Sequence, residues 1–221
     1  MTQENNSGAA EASRKTFRVR QCREAEVTGE VTAGLSIVLI GPAALRGTET
    51  AAMRLGKRLD ERFSACFAER CRNAYRDHAV EADEKMLQKA GVKAFCLPGD
   101  GGLYAALWDL SSAGGRGFDI DLRKIPLLQE TVEVCEIWDL NPYRLDSTGC
   151  ILAAASCGES LAAQYRAMGK TAEVIGWFDR TKAGKIRSGE TTTYLDFPAP
   201  DEIHKTEQQQ TEKEKEGGNG L

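Results

Sequence analysis

A short apolar run followed by a pair of glycines constrains the fold more than any other stretch of this sequence. Residues 92–97 are mostly apolar and predict a buried strand, which the following proline and glycine end. Asp100 is then expected to cap a helix whose first turn contains Gly101 and Gly102. One face of this helix is expected to be buried, because apolar residues recur at helical spacing at Leu103, Ala106, Leu107 and Leu110.

The glycine pair has two interpretations. Glycines at a helix N-terminus leave N–H groups and the positive end of the helix dipole open, which suits a phosphate group. In the alternative, the pair forms a tight strand-to-helix turn in which the glycines only relieve crowding. A lone glycine pair has little specificity, so the residues by themselves favour the tight turn.

Strand-like and helix-like segments alternate along the rest of the chain. Residues 35–40 predict an apolar strand closed by Gly41, and after Gly47 a helix is expected with Thr48 as its N-cap. Further strands are predicted for residues 118–122, 150–155 and 173–178, and an exposed hairpin for residues 185–194. The alternation predicts an α+β fold in which helices cover the faces of a mixed central β-sheet.

The helices between these strands are predicted from apolar spacing. The first helix is expected to continue to Phe63, and further helical sequence covers residues 66–76 and 80–89. Two later helices are expected to bury Leu128, Val132 and Cys135, and Leu161, Tyr165 and Met168.

Composition excludes several classes of protein. A net charge of −4 argues against an electrostatic nucleic-acid interface, and no apolar run approaches the roughly 18 residues of a membrane helix. We therefore expect neither nucleic acid nor a membrane as a partner. The seven cysteines form no C-x-x-C pair, which favours a reduced, cytoplasmic protein without a zinc or dithiol site.

The polar ends of the chain differ from its middle. We expect disordered tails over residues 1–16 and 204–221, because neither contains enough apolar surface to offset the entropy of ordering. Residues 17–203 are then expected to form one domain.

The order of several short motifs resembles one known family. These motifs are Gly101-Gly-Leu103, Ala106-Leu-Trp-Asp-Leu110, Gly117-Phe-Asp-Ile-Asp-Leu-Arg-Lys-Ile-Pro126, Glu130-Thr-Val-Glu-Val-Cys-Glu136, Asn141-Pro-Tyr143, Ser147-Thr-Gly149 and Ala172-Glu-Val-Ile-Gly176. They resemble the C-terminal domain of the PurM-like (aminoimidazole ribonucleotide synthetase-related) superfamily, and within it most of all the hydrogenase maturation factor branch, which includes a carbamoyl dehydratase. Residues 34–48 resemble the opening strand and glycine loop of that domain. The resemblance covers about residues 31–203.

The resemblance implies a PurM C-terminal-domain-like α+β fold, and it implies departures from the activity of the family. Family members carry an ATP-binding domain before this one, whereas only about 30 residues precede it here. The family commonly has His-Asp-x-Thr-x-Gly-Gly where this chain has Leu97 for the aspartate and Gly99 for the threonine. The dehydratase also ends in a reactive cysteine, and this chain ends Gly-Asn-Gly-Leu. We therefore expect no activity from the chain alone.

The candidate phosphate-binding residues are Gly41, Gly47, Thr48, Asp100, Gly101 and Gly102. No catalytic residue and no metal site is predicted. We expect no cofactor for the chain alone, and ATP and Mg only if a separate nucleotide-binding domain is supplied.

Other chemistry-bearing residues favour structural roles. His78 and His204 are expected on the surface, and Cys96 is expected to be buried and inert. Asp119 and Asp121 share a strand face that could bind a cation, but a solvated strand explains them equally well.

Two functions remain open from the sequence. One is a degenerate, standalone domain that acts as a binding or assembly module for a partner protein or a phosphate-bearing ligand. The other is the C-terminal half of an ATP-dependent enzyme completed by a separate chain. In either case we expect a homodimer or a complex with another protein, formed near the apolar strand at residues 35–40.

Overall fold

The structure is a computed structural model that describes residues 20–209, and a single sheet runs through it. The strands are β1 (Val27–Gly29), β2 (Ser36–Ile40), β3 (Val92–Cys96), β4 (Gly117–Asp121), β5 (Ile151–Ala155), β6 (Ala172–Asp179), β7 (Gly184–Ser188) and β8 (Thr191–Tyr194). The helices are α1 (Leu45–Leu55), α2 (Lys57–Arg62), α3 (Ala65–Arg72), α4 (Ala74–His78), α5 (Glu84–Lys89), α6 (Gly102–Gly114), α7 (Gln129–Trp138) and α8 (Gly158–Ala167). Residues 203–209 are also helical.

The strand order is β1-β3-β5-β2-β6-β4-β7-β8. Neighbouring strands are antiparallel except β4 and β7, which are parallel, so the predicted mixed α+β sheet is confirmed. β2 and β5 occupy the middle and are buried on both faces, which explains their continuous apolar sequences. The alanines of β5 leave room for helices to pack closely on both sides.

Helices cover both faces of the sheet. On one face α6 packs against an apolar cluster that includes Leu39, Phe118 and Phe178. On the other face α5 and α8 cover a second cluster that includes Val38 and Ile151. A third cluster joins α1, α2, α3 and α7 beside the sheet.

The third cluster is closed by the end of the described chain. The indole N–H of Trp138 donates to the Ala51 carbonyl at 3.1 Å, and the Gln209 side chain donates to the Trp138 carbonyl at 2.9 Å. Thr206 is fully buried. The packed body therefore extends to at least Gln209 and includes the start of the tail expected at residues 204–221. Residues 1–16 and 210–221 lie outside the described residues.

The expected start of the first helix was wrong. α1 begins at Leu45, with Ala44 as its N-cap, so Thr48 lies inside the helix. Its hydroxyl donates to the Ala44 carbonyl, four residues earlier, at 2.7 Å. This bond is typical of a threonine inside a helix and is not an N-cap, which would accept from a backbone N–H. The helix then ends at Gly56, whose φ of +53° divides the expected single helix into α1 and α2.

Two predicted inward-facing residues are exposed. Val132 is 43% exposed because α7 buries Thr131, Val134, Cys135 and Trp138 instead. Met168 is 50% exposed because α8 ends at Ala167, which leaves Met168 at the C-cap and outside the buried helical face.

The expected association surface near β2 was also wrong. β2 pairs with β5 on one side and β6 on the other, and helices cover both faces. Val38 is fully buried between Ala153 and Val174, so this strand has no surface that a partner could contact.

Within residues 20–209, no helix combines the length and the apolar character needed to cross a membrane.

Candidate functional site

The glycine pair lies where the chain passes most tightly into α6. Gly101 and Gly102 have φ values of +79° and +69°, a conformation that favours glycine. A Cβ atom on Gly101 would lie 2.7 Å from the Cys22 sulfur, and one on Gly102 would lie 2.7 Å from the carbonyl oxygens of Tyr143 and Leu145. Both glycines are therefore required by backbone conformation and by packing.

The amides of the pair already have acceptors within the chain. The Gly101 N–H donates to Oδ2 of Asp201 at 2.8 Å, and the Gly102 N–H donates to the Gly99 carbonyl at 2.9 Å. A carboxylate 100 residues later in the sequence thus lies at the helix N-terminus, the position that favours an anion.

Asp201 is itself deeply buried, with 3% of its surface exposed. Its second oxygen accepts from the Ile203 N–H at 2.8 Å, at the start of the helical residues 203–209. Burial raises the pKa of Asp201 to about 6, and the carboxylates of Asp146 and Asp100 act in the same direction, whereas the two amide donors lower it. We call this residue and its two amide contacts the Asp201 latch.

Asp100 does not cap α6, contrary to expectation, since the N-cap is Gly101 and no side chain caps it. Asp100 instead accepts from the Arg23 backbone N–H at 2.9 Å. Farther along α6, Asp109 forms an ion pair with Arg20 and accepts from the Ala25 N–H at 2.9 Å. The segment that contains Arg20 and Ala25 therefore lies along one side of α6, and the hydrogen bonds that Arg20 donates to Asp109 raise the pKa of Arg20.

Of the other three candidate residues, Gly41 directly follows β2, whereas Gly47 and Thr48 lie in the first turn of α1, and all three are buried. The Gly41 N–H donates to the Thr171 carbonyl at 2.8 Å, and the Gly47 N–H donates to the Asp146 carbonyl at 2.9 Å. The Thr48 hydroxyl lies 2.8 Å from that of Thr131.

One segment, residues 143–146, packs against two regions of candidate residues. The first region contains Gly41, Gly47 and Thr48, and the second contains Asp100, Gly101 and Gly102. A Cβ on Gly47 would lie 2.3 Å from Cγ of Leu145, and Gly102 contacts the backbone of the same segment. The structure thus brings both regions together around a packed loop. Phosphate binding at these residues remains a prediction, and at Gly101 the phosphate would have to displace Asp201.

The other residues that the sequence singled out are a cysteine, two aspartates and two histidines. Burial raises the pKa of Cys96 to about 12, which makes it an inert thiol as expected. Arg187 and Arg123 pair with Asp119 and Asp121, respectively. His78 and His204 are exposed. Among the described residues, no group of three or more His, Cys, Asp or Glu side chains could hold a metal ion.

Sequence reasoning missed a cavity at the opposite end of α6. Its volume is about 540 Å³, and it opens between the last turns of the helix and the β7–β8 hairpin. Its lining comprises Trp108, Ser111, Ser112, Gly115, Arg116, Phe118, Lys182, Ala183, Gly184, Tyr194 and Leu195. The glycines that follow α6 are visible in the sequence. The other wall of the cavity is formed by the β7–β8 hairpin, whose position depends on the pairing of β7 with β4.

The fold and the glycine-pair helix define a PurM-like C-terminal domain. The sequence matches the family described as AIR synthase related protein, C-terminal domain, over residues 32–188. The chain belongs to this family, and the resemblance drawn from the motifs is confirmed. No curated protein matched the sequence.

Solved structures with a similar fold include hydrogenase maturation proteins. HypE from E. coli has a TM-score of 0.58 and 20% identity, and the match covers 80% of this chain and 53% of that protein. HypE in a HypE–HypF complex has a TM-score of 0.57 and 19% identity, with 76% and 54% covered. Thiamine-monophosphate kinase from Stenotrophomonas maltophilia K279a has a TM-score of 0.53 and 15% identity, with 73% and 52% covered. The chain thus spans about half the length of these relatives.

Proposed function

We propose that this chain is a non-catalytic binding or assembly module of its family, which engages a partner protein or a second copy of itself. The observation that carries the proposal is the Asp201 latch. The Gly101 amide that a phosphate would use is held by the chain's own carboxylate at 2.8 Å. The neighbouring Asp100 carboxylate, which could serve a metal, is held by Arg23.

The comparisons support association with another protein in two ways. The chain matches a family named as a C-terminal domain, and it spans about half of each similar structure. One of those structures is a HypE–HypF complex, so a protein with this fold assembles with a different chain.

The surface that we assign to association is the β8 edge. β8 pairs with β7 on one side, and within the described sheet no strand lies on its other side. All four of its residues are exposed. Because the Leu195 N–H donates to the Gly184 carbonyl, strand alternation turns the N–H groups of Thr192 and Tyr194 outward. Such an edge is a template for another strand, and two copies of β8 could pair antiparallel about a two-fold axis.

A tryptophan on β6 and an arginine on β7 contact each other on the sheet inward of this edge. Trp177 is 47% exposed, and the guanidinium of Arg187 lies 5.3 Å from the centre of its ring. Tryptophan and arginine are the residue types that most often dominate binding energy in protein interfaces. This pair would extend a contact made at β8 onto the adjacent open face of the sheet.

Nucleotide binding by the isolated chain tests the non-catalytic part of the proposal. Titration calorimetry with Mg-ATP should give no saturable heat at micromolar concentration, and ATP hydrolysis should not exceed background. Micromolar binding by the chain alone would contradict the proposal, because no described cluster of acidic residues could hold the metal.

Light scattering on the purified protein tests association at β8. We expect twice the 24.1 kDa monomer mass. Thr192→Pro, which removes one outward N–H, should give a monomer, whereas Thr192→Val keeps that N–H and should remain a dimer. A Thr192→Pro protein that still dimerises would exclude this edge as the contact.

The alternative is that the chain is the C-terminal half of an ATP-dependent enzyme. The match to a C-terminal domain over residues 32–188 favours it. Under this alternative, ATP and Mg would bind only after a separate nucleotide-binding domain is added. The two functions are distinguished by mixing the chain with such a domain and measuring ATP hydrolysis, which should rise only if the alternative holds.

A further inference from the structure

The cavity at the C-terminal end of α6 has the size and the lining of a small-molecule site. Its volume of about 540 Å³ lies within the usual range of ligand pockets, roughly 300–1,000 Å³. It lies between α6 and the β7–β8 hairpin, whereas the glycine pair lies at the other end of the same helix.

The charges that line the cavity are positive. Arg116 and Lys182 contribute to its wall, and none of the lining residues is acidic. Nε of Arg116 is buried, and within the described residues it has no hydrogen-bond acceptor. Arg116 as a whole is partly exposed, so its charge is incompletely hydrated, and a ligand that supplies a negatively charged oxygen to the rest of the guanidinium would stabilise it.

The position of Arg116 is fixed by its backbone. Its N–H donates to the Ser111 carbonyl at 3.1 Å, and its carbonyl accepts from the Ser111 hydroxyl at 2.5 Å. Gly115 before it has a φ of +58°, which ends the helix and turns the chain toward β4. The guanidinium is therefore carried on a rigid helix end and not on a mobile loop.

Three aromatic side chains share the same lining, namely those of Trp108, Phe118 and Tyr194. Trp108 is held by an edge contact with Phe197, with 5.6 Å between ring centres. Phe118 is buried in the core, so it gives the cavity a rigid apolar base. Aromatic walls of this kind bind flat rings by stacking and edge contacts.

We propose that this cavity binds a small molecule consisting of a flat aromatic ring that carries a carboxylate. The ring lies against Trp108 and Tyr194, and the carboxylate accepts from the terminal N–H groups of the Arg116 guanidinium with Lys182 close by. This site is separate from the glycine pair and shares Tyr194 with β8, so it adds a ligand to the proposed binding module.

The test uses 1-naphthoate as the probe and 1-naphthylmethanol as its neutral match, both titrated into the full chain by calorimetry. We expect 1-naphthoate to bind with 1:1 stoichiometry and the neutral molecule to bind at least tenfold more weakly. Arg116→Gln should weaken naphthoate binding about tenfold or more, as expected when a charged hydrogen bond is lost. Arg62→Gln is the matched control, because Arg62 is exposed on α2 and does not line the cavity, and it should leave the affinity unchanged.

Several results would overturn the proposal. These are the absence of saturable naphthoate binding at millimolar concentration, equal affinity for the neutral probe, or an Arg62→Gln effect as large as that of Arg116→Gln. If Arg116→Gln fails to fold, Lys182→Gln replaces it, since Lys182 is exposed and its loss should weaken binding about threefold. Unchanged binding by whichever variant folds would also refute the site.

Discussion

Replacing Asp201 with asparagine should remove one component of the pH dependence of stability. The carboxylate is buried at the N-terminus of α6 and accepts two backbone N–H groups, one with each oxygen. Asparagine has nearly the same shape but only one acceptor oxygen, and it does not ionise. The variant therefore loses one hydrogen bond at every pH and also loses the cost of burying a charge.

The magnitude follows from the shift in the pKa of Asp201. Folding raises this pKa from 3.8 to about 6, so between these values the folded state binds more protons than the unfolded state. The free energy of unfolding must then fall as the pH rises through this window and be constant above it. Two pKa units correspond to about 3 kcal/mol, of which about 2 kcal/mol is lost between pH 4 and pH 7.

Urea unfolding of the wild type and of Asp201→Asn at pH 4, 5, 6 and 7 measures this component. Other carboxylates, such as Glu130 with its lowered pKa, contribute equally to both proteins and cancel in the difference. The wild type should lose about 2 kcal/mol relative to the variant as the pH rises from 4 to 7. A difference that stays constant, or that changes in the opposite direction, would refute the assignment of a raised pKa to the latch.

Three further predictions concern packing. Gly102→Val should lower the free energy of unfolding by roughly 2–6 kcal/mol, through backbone strain and contact with two carbonyls. Gly115→Val, whose side chain would point into open space, should show only the backbone strain, and thermal unfolding of both variants compares them. Asp109→Asn should cost about 3 kcal/mol in urea unfolding, because it leaves the Arg20 guanidinium without its charged partner; an effect below 0.5 kcal/mol would contradict the ion pair. Val38→Lys should abolish cooperative unfolding in circular dichroism, since the side chain is fully buried, and a folded monomer of this variant would contradict the central position of β2.

Local patterns in the sequence predicted the elements better than their arrangement. The strands at β2, β3 and β5 were predicted correctly because continuous apolar runs bounded by glycine or proline are typical of buried strands. The order of the strands was not predictable in this way. β2 follows the N-terminal segment directly, and only its pairing with strands more than 100 residues later places it at the centre of the sheet.

At the candidate site, too, the sequence predicted local features better than contacts between distant segments. The backbone demands of Gly101 and Gly102 could be inferred from their position before an apolar helix, and their positive φ values agree with that inference. The acceptor of the Gly101 amide could not be inferred, because Asp201 is separated from it by 100 residues and no local pattern connects them. Arg116 was missed for a related reason, since its cavity exists only where α6 faces β7 and β8.

The Asp201 latch has a consequence for how the protein is made. A ribosome delivers the chain from its N-terminus, and the Gly101 amide is synthesised 100 residues before the carboxylate that accepts from it. At about 5–20 residues per second, the donor waits about 5–20 s for its acceptor. During that interval the N-terminus of α6 lacks this acceptor, and the contact can form only after residue 201 has been added.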